Sequence, residues 1–454
     1  MKRKHRIFAM FMAFLYLFSS MTILAAAGET TASSEATTEV VEETTLSAIQ
    51  TAEDAGCIIE DSAAEPLTLE AGAAVLMEAE TGKILYSKNP TEKMYPASIT
   101  KVLTTLIALE KGNLQDTITF SAETLNAVEQ GSSRVGVEAG ETCTLEDVLH
   151  CVMLASGNDT AAGVAEHIAG SVSAFVDMMN EKAAELGCTN THFTNPHGLP
   201  DDNHYTTAQD MALIVQAAAK NPHFADIAGD LNYKMPATNK CEERDIWQHH
   251  KMLYPAGQYY YEGVLWGKTG YTSVALNTLV TTAKKDNMTL IAVVLKCPGA
   301  AYTYTNSAAL FDYGFEHYKL IKPLENFKLK EAAATAGISE SAIKELDQLN
   351  ALYNSNYTVI APSSANPSDI AVTVTTETAA DGIWGSLVFT DQNNEIGRAN
   401  IYYDANADLK TIIEKEGTAE ATAMAKLPFI LVAVIILLLL FILFQIISMI
   451  RRRR

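Results

Sequence analysis

Three short motifs, separated by long stretches of chain, constrain this sequence more than any other feature. They are Ser98-Ile99-Thr100-Lys101, Ser156-Gly157-Asn158 and Lys268-Thr269-Gly270. Local patterns predict the first motif at the start of a helix, the second on a turn between two helices, and the third at the end of a strand. If the three motifs form one site, the strands before and after the helical middle must belong to one sheet.

The strand and helix patterns agree with such a fold. Residues 73–78 and 83–87 are predicted as an early hairpin, and residues 264–269, 275–283 and 289–296 as three late strands. Helices are predicted over 98–111, over 144–154 with a capping box of Thr144 and Asp147, from Asn158 onward, and over 173–186 and 305–318. Sequential hairpins make an antiparallel sheet, and helices on its faces give an α+β fold.

The 454 residues are too many for one compact core, so two domains are expected. We assign residues 67–320 to the α+β domain and residues 321–412 to a small β-rich domain. Within the latter, residues 370–375 alternate strictly, and two further strands flank 391–394 as a hairpin. Residues 331–352 have a helical pattern and fit a β-rich domain poorly.

The N-terminal end is predicted to be a targeting segment. Residues 1–27 combine a basic start, an apolar stretch and small residues near Ala27, which is typical of a cleaved secretory signal. A first transmembrane helix is the rival interpretation. Residues 28–66 are rich in Thr, Ala and Glu and contain no Lys or Arg, so we expect a disordered acidic spacer.

The C-terminal end is strongly apolar. Residues 427–450 are long enough to cross a bilayer core of about 30 Å, and a buried core helix is the alternative. A juxtamembrane linker, 413–426, precedes this run, and the four arginines of 451–454 place the tail in the cytoplasm. The sequence therefore predicts a single-pass protein of the cytoplasmic membrane, with its globular part on the extracellular, cell-wall side. We expect a monomer.

Charge and cysteine content exclude other classes. The net charge of −21 argues against nucleic-acid binding. The six cysteines match neither a zinc pattern nor a small disulfide scaffold, so free buried thiols are expected, although export would permit disulfides. His192, His197 and His204 suggest a metal, but their spacing fits no zinc signature, and structural loop histidines are favoured.

The first motif offers a nucleophile and a base. Serine is a weak nucleophile until a base lies within hydrogen-bonding reach. Positions i and i+3 of a helix share a face, so Lys101 is predicted beside Ser98. The helix is apolar nearly all round, and burial would lower the pKa of Lys101 until a neutral amine accepts the Ser98 proton. Alone, such a serine–lysine pair also occurs by chance with a solvated lysine.

The other two motifs complete a hypothetical acyl-transfer site. Ser156 is expected to pass a proton to the leaving amine, and Asn158 to orient the base and bind the substrate amide, although these residue types also make ordinary turns. Lys268 and Thr269 are expected to bind a substrate carboxylate, and this second cation would lower the pKa of the first lysine further. Gly270 would let the substrate lie along the strand edge.

Together the motifs resemble those of the low-molecular-mass penicillin-binding proteins, the D-alanyl-D-alanine carboxypeptidases of serine peptidase family S11. Glycine in the middle of the second motif is that family's usual form, where class A β-lactamases usually have aspartate. The stretches 95–101, 193–199 and 207–212, together with His204, are also similar to the family. The likeness is strong over about 67–318 and weak over the β-rich domain. Many members end in an amphipathic helix, whereas this chain is predicted to span the membrane.

The resemblance implies a β-lactamase/transpeptidase-like catalytic domain that releases the terminal D-alanine from peptidoglycan stem peptides ending in D-Ala-D-Ala. Ser98 would form the acyl-enzyme, Lys101 would be the base, and the backbone N–H groups of Ser98 and Tyr271 would form the oxyanion hole. It also implies covalent inhibition by β-lactam antibiotics, with neither a cofactor nor a metal. A serine β-lactamase and a DD-transpeptidase are the enzymatic alternatives. A non-catalytic wall protein that binds muropeptides is the alternative of another class.

Overall fold

The computed structural model describes residues 67–325, 327–348, 353–376, 383–392 and 394–402. The predicted signal segment, acidic spacer, juxtamembrane linker, apolar run and basic tail all lie outside these residues, as does Cys57. Within the described ranges, no helix combines the length and the apolarity needed to cross a bilayer.

The secondary structure alternates between short strands and helices before three long strands. In chain order the α-helices are α1 (Lys101–Lys111), α2 (Ala122–Ala127), α3 (Leu145–Met153), α4 (Asn158–Ala169), α5 (Val172–Glu185), α6 (Ala208–Lys220), α7 (Phe224–Ala228), α8 (Ala300–His317), α9 (Leu329–Thr335) and α10 (Glu340–Gln348). The strands are β1 (Ala73–Glu78), β2 (Ile84–Lys88), β3 (Thr117–Thr119), β4 (Thr142–Thr144), β5 (Asn232–Met235), β6 (Arg244–Trp247), β7 (Val264–Thr272), β8 (Leu276–Lys285), β9 (Met288–Cys297), β10 (Tyr318–Ile321), β11 (Val359–Pro362), β12 (Ala371–Thr375), β13 (Ile383–Asp391) and β14 (Asn394–Tyr402).

A five-stranded antiparallel sheet forms the centre of the fold, in the order β2-β1-β9-β8-β7. Strand β1 lies between β2 and β9, with Leu76 opposite Ala292. The early hairpin and the late strands therefore share one sheet, which confirms the prediction of an α+β fold with an antiparallel sheet. Strand β7 forms one edge of this sheet, and that edge carries the third motif.

Alternate side chains of β1 enter two different cores. Val75 and Met77 pack with residues of α1 and α3 to α6 on one face of the sheet. Ala74 and Leu76 pack with residues of α8 on the opposite face. Because burial of a side chain such as Val, Leu or Met contributes about 1.5–3 kcal/mol, the two cores fix the register of β1.

The predicted helix over 98–111 begins with a tighter turn. Ala97–Thr100 form a 3₁₀ helix, and the α-helix starts only at Lys101. Side chains at positions i and i+3 eclipse each other in a 3₁₀ helix, whereas they are offset in an α-helix. The tighter turn therefore brings Lys101 over Ser98 more closely than the predicted α-helix would.

The capping box at the start of α3 is confirmed. Thr144 Oγ1 accepts a hydrogen bond from Asp147 N at 3.1 Å, and Asp147 Oδ2 accepts one from Thr144 N at 3.0 Å. By contrast, α8 starts at Ala300, five residues earlier than predicted. Gly299 precedes it and has no side chain to cap the helix, so no side-chain capping signal marks this start.

Several elements were not predicted. Helix α6 is capped by Thr207, whose Oγ1 accepts from Asp210 N at 3.0 Å. The two-stranded sheets β3–β4 and β5–β6 have strands of three or four residues, too short for a clear alternating pattern. These elements surround the helical side of the sheet.

The C-terminal part of the described chain has its own core. Strand β10 pairs with β11, and β12, β13 and β14 form a separate antiparallel sheet. Asp391 lies opposite Asn394 in the register of β13 and β14, as expected for the predicted hairpin. The described part of the segment 331–352 contains α9 and α10, which are separated by a turn at Gly337 with φ +77°.

The five described cysteines are free thiols, four of them buried and Cys241 half-buried. Burial raises the pKa of Cys143 and of Cys297 to about 12. These thiols therefore stay protonated and pack as small apolar side chains, in agreement with the prediction.

Candidate active site

The side chains of Ser98 and Lys101 are in direct contact. Lys101 Nζ lies 3.1 Å from Ser98 Oγ. Ser98 is half-buried, whereas Lys101 is fully buried at the start of α1. The sequence predicted this pair, and the 3₁₀ turn supplies the geometry.

Two further oxygens hold the amine of Lys101. Nζ donates to Asn158 Oδ1 at 2.7 Å and to the backbone oxygen of His197 at 2.8 Å. An ammonium has three N–H groups, and the three oxygens use all of them. After loss of one proton, the amine keeps two N–H donors for Asn158 and His197. Its lone pair is then directed at the Ser98 hydroxyl, which becomes the donor.

The surroundings of Lys101 favour this neutral form. Burial lowers the pKa of Lys101 well below its usual value, the nearby ammonium of Lys268 lowers it further, and the carboxylate of Asp159 opposes them. Both lowering causes were predicted from the sequence and are confirmed. The role of Asp159 was not predicted.

The second motif forms a strained turn between α3 and α4. Ser156 has φ +61°, in the left-handed region, which costs a residue other than glycine on the order of 1–3 kcal/mol. A Cβ atom on Gly157 would lie 2.3 Å from Thr160 Oγ1 and 2.9 Å from Val135 Cγ2. There is no space for an aspartate here, which explains the glycine of this motif.

Asp159 anchors the loop that packs along this turn. The carboxylate is fully buried and accepts hydrogen bonds from Val135 N at 3.1 Å and from Gly136 N at 2.8 Å. The same loop accepts a hydrogen bond from Asn158 N at 2.8 Å, through the backbone oxygen of Ser133. Asp159 therefore fixes the backbone next to the residue that holds the Lys101 amine.

The third motif lies within β7 and not at its end, because the strand continues to Thr272. Lys268 lies opposite Val280 of β8 and is 1% exposed. Its Nζ donates to the backbone oxygen of Thr269 at 3.0 Å, and burial lowers its pKa to about 7. A carboxylate bound beside this amine would favour the charged form and raise the pKa again.

Gly270 brings the edge strand against the Ser98 turn. A Cβ atom there would lie 2.9 Å from Ser98 N, 3.1 Å from Ala97 Cβ and 2.4 Å from Thr278 Oγ1. Space for a substrate was the predicted reason for this glycine, whereas the structure shows that contact with the Ser98 turn already requires it. Next to it, the side chain of Tyr271 is 66% exposed.

The loop 195–199 closes the opposite side of the Ser98 turn. Asn195 Oδ1 accepts hydrogen bonds from His197 N at 3.3 Å and from Gly198 N at 2.7 Å. Gly198 has φ +90°, and a Cβ atom there would lie 1.8 Å from the backbone oxygen of Ala97. In the described part of the chain, no three His, Cys, Asp or Glu side chains are grouped so that they could hold a metal ion. His197 contributes its backbone oxygen to the site.

These elements are those of a known peptidase family. Residues 60–299 match the family model of peptidase S11, described as D-alanyl-D-alanine carboxypeptidase. The chain belongs to the S11 peptidase family. Its sequence is 37% identical to D-alanyl-D-alanine carboxypeptidase DacF of Bacillus subtilis over 261 residues, which are 56% of this chain and 64% of that relative. The match thus spans less than two thirds of the relative's length.

Solved structures show the same transpeptidase-like α+β fold. Penicillin binding protein 5 from Haemophilus influenzae superposes with a TM-score of 0.62 at 25% identity, over 76% of this chain and 99% of that protein. A mutant of the Streptomyces K15 DD-transpeptidase superposes with a TM-score of 0.51 at 26% identity, over 55% of this chain and 99% of that protein.

Three parts of the site of this S11 peptidase were not predicted from the sequence. They are the Asp159 carboxylate, the backbone oxygen of His197 and the close approach of Gly198. Asp159 directly follows the second motif, so a polar residue at a helix start was a visible signal. A backbone oxygen leaves no signal in the sequence, because any residue type can supply it.

Proposed function

We propose that this S11 peptidase is a serine-type D-Ala-D-Ala carboxypeptidase that removes the terminal D-alanine from peptidoglycan stem pentapeptides. The observation that carries the proposal is the buried amine of Lys101, 3.1 Å from Ser98 Oγ, with two other oxygens holding its remaining N–H groups. A scaffold that only binds muropeptides has no need of such a base. The name of the relative DacF supports the same activity.

In the first step, neutral Lys101 accepts the proton of Ser98 as Oγ attacks the carbonyl carbon of the penultimate D-alanine. The negative charge that develops on the carbonyl oxygen is stabilised by the backbone N–H groups of Ser98 and Tyr271. Gly270 supports this pairing, because the absence of a Cβ lets the strand approach Ser98 N closely.

The same site must bind the C-terminal carboxylate and protonate the leaving amine. We assign the carboxylate to Lys268, with a hydrogen bond from the Thr269 hydroxyl. Ser156 donates a proton to the leaving D-alanine nitrogen as the C–N bond breaks, and it recovers the proton from Lys101. Asn158 keeps Lys101 in place and its amide binds the substrate backbone. The products of this step are free D-alanine and a Ser98 ester.

Hydrolysis of the ester completes the cycle. Lys101, neutral again, takes a proton from a water molecule that attacks the ester carbon, and Ser98 Oγ leaves as its proton returns. A DD-transpeptidase differs only in using an amine of a second peptide in place of water. The similarity to the Streptomyces DD-transpeptidase supports this second candidate. β-lactams would acylate Ser98 by the same attack.

We also propose where the enzyme works. The apolar run 427–450, followed by four arginines, supports a single membrane span with the peptidase outside the cell. A protease added to wall-free cells with an unbroken membrane should then degrade the catalytic domain. Protection of the domain in these cells, with degradation only after lysis, would refute this orientation.

The decisive experiment is intact mass spectrometry of the purified chain with benzylpenicillin. We expect one covalent adduct on the wild type and none on Ser98→Ala. Ser132→Ala is the matched control, since Ser132, like Ser98, is half-buried, and its hydroxyl donates to the backbone oxygen of Glu129. D-alanine release from a pentapeptide is measured in parallel.

The outcomes separate the candidates. A long-lived adduct with D-alanine release supports the carboxypeptidase, and peptide transfer to an added amine supports the transpeptidase. Rapid turnover of the drug identifies a β-lactamase. If no adduct forms, the drug is not consumed and no D-alanine is released, the enzymatic proposal is refuted. A non-catalytic muropeptide-binding protein then remains.

A further inference from the structure

A buried histidine lies behind the turn that carries Ser98. His204 is 1% exposed and makes three polar contacts through its ring. Its Nδ1 lies 3.0 Å from Thr194 N and 3.3 Å from Thr194 Oγ1, and its Nε2 lies 3.0 Å from Thr100 Oγ1. Thr100 Oγ1 in turn lies 2.9 Å from the backbone oxygen of Ala97. The ring is thus linked to the residue before Ser98 through one hydroxyl.

The donor of each hydrogen bond in this hydrogen-bond chain can be assigned from chemistry alone. A backbone N–H only donates, so Nδ1 of His204 must be the acceptor for Thr194. A backbone oxygen only accepts, so the single O–H of Thr100 is directed at Ala97. Thr100 Oγ1 therefore accepts from His204, and the proton of the neutral ring lies on Nε2. Every bond in the chain then has one direction.

The hydrogen-bond chain ends at a residue whose backbone is strained. Ala97 has φ +54°, in the left-handed region that residues with a Cβ rarely adopt. Its backbone oxygen is held from one side by Thr100, and on the other side Gly198 packs against it without a Cβ. The conformation of Ala97 decides where the nitrogen and the hydroxyl of the next residue lie.

We infer that His204 is a positioning residue for the nucleophile: its neutral ring, through Thr100, holds the backbone oxygen of Ala97 and keeps the Ser98 turn in its strained conformation. The inference rests on the proposed function only in taking Ser98 as the nucleophile. It gives a role to a histidine that the sequence analysis regarded only as a structural loop residue.

The electrostatic surroundings keep this ring neutral. Burial lowers the pKa of His204, Asp201 opposes this, and His192 and Lys101 lower the pKa as well, so that the resulting pKa is about 4. A protonated ring would carry a proton on Nδ1 directed at the N–H of Thr194, and the bond would be lost. The hydrogen-bond chain therefore keeps its direction at neutral pH.

The two nitrogens of His204 can be tested separately. In His204→Gln the side-chain amide nitrogen reaches the place of Nε2 and still donates to Thr100. In His204→Asn the oxygen reaches only the place of Nδ1, so the bond to Thr194 is kept and the bond to Thr100 is lost. Both variants lose the ring, so their melting temperatures should fall by similar amounts.

The readout is the second-order rate constant of acylation by benzylpenicillin, measured on folded full-length chain. We expect His204→Asn to be acylated about tenfold more slowly than the wild type and His204→Gln within about threefold of it, as loss of one buried hydrogen bond suggests. The acylation rate constant of Thr100→Val should equal that of His204→Asn, and the double variant should be acylated no more slowly than either single variant. Equal rates in folded Asn and Gln variants, or additive effects in the double variant, would overturn the inference.

One measurement does not depend on acylation. Nitrogen-15 chemical shifts of the His204 ring at pH 7 should show a protonated Nε2 and an unprotonated Nδ1, and the opposite tautomer would also overturn the inference. If the wild type is not acylated at all, the proposed function is refuted. The observed tautomer of His204 then still tests the assigned direction of the hydrogen bonds.

Discussion

Replacing Gly270 by alanine tests how closely the edge strand and the Ser98 turn must approach. The new Cβ would lie 2.4 Å from Thr278 Oγ1, which must shift, and 2.9 Å from Ser98 N. Because an ordinary contact is at least 3.4 Å, the edge strand and the Ser98 turn must separate by about 0.5 Å. A displacement of 1 Å in a catalytic group costs on the order of 100-fold in rate, so we expect acylation by benzylpenicillin to slow by about tenfold. The assay is the acylation rate of the folded variant, followed by intact mass.

Gly299→Ala is the matched control. Its Cβ would meet nothing closer than 3.4 Å, its φ of −152° suits any residue, and it lies outside the site. We expect this control to be acylated at the wild-type rate. If Gly270→Ala is folded and is acylated as fast as the control, the contact between β7 and the Ser98 turn does not limit the reaction, and our account of this glycine is refuted.

Three further predictions follow from the charges and the packing. The acylation rate should rise with pH through the lowered pKa of Lys101, and Asp159→Asn should move this rise to lower pH by removing the opposing charge; a rise at unchanged or higher pH would contradict the assignment. Lys268 has a pKa of about 7 in the folded chain, whereas an unfolded lysine has a pKa of about 10. Between these two pH values only the unfolded chain binds the proton, so the free energy of unfolding rises with pH there. Lys268→Met should reduce this slope by up to about 1.4 kcal/mol per pH unit in urea unfolding from pH 7.5 to 9, and an unchanged slope would show that the folded lysine stays charged. Gly157→Ala should lower the free energy of unfolding by about 1–3 kcal/mol, because its Cβ would lie 2.3 Å from Thr160 Oγ1, and an unchanged value would show that the turn can relax.

The agreement between sequence and structure is best where a local pattern decides the outcome. Regular alternation placed β8 and β9, and a capping box placed the start of α3. Burial of Lys101 followed from the apolar residues around it on α1. These features depend on neighbours along the chain, so one sequence was enough to predict them.

The approximate predictions fall where distant segments meet. The extent of β7 was underestimated, and the short strands of β5–β6 were missed, because strand length depends on pairing with another segment. The reason first given for Gly270 was incomplete, because two of the three nearest atoms belong to Ala97 and Ser98, far away in the chain.

The sequence by itself determined the residue types of the site: a serine and a lysine three positions apart, a turn with Asn158, and a lysine on a late strand. Only the tertiary structure decided which oxygens hold the amine of Lys101, why a side chain is excluded at Gly157, and how His204 is linked to the Ser98 turn. The physical reason is that these contacts join segments distant in the chain, often through backbone atoms common to all residues. A local pattern specifies a segment, and the packing of segments specifies the distances between them.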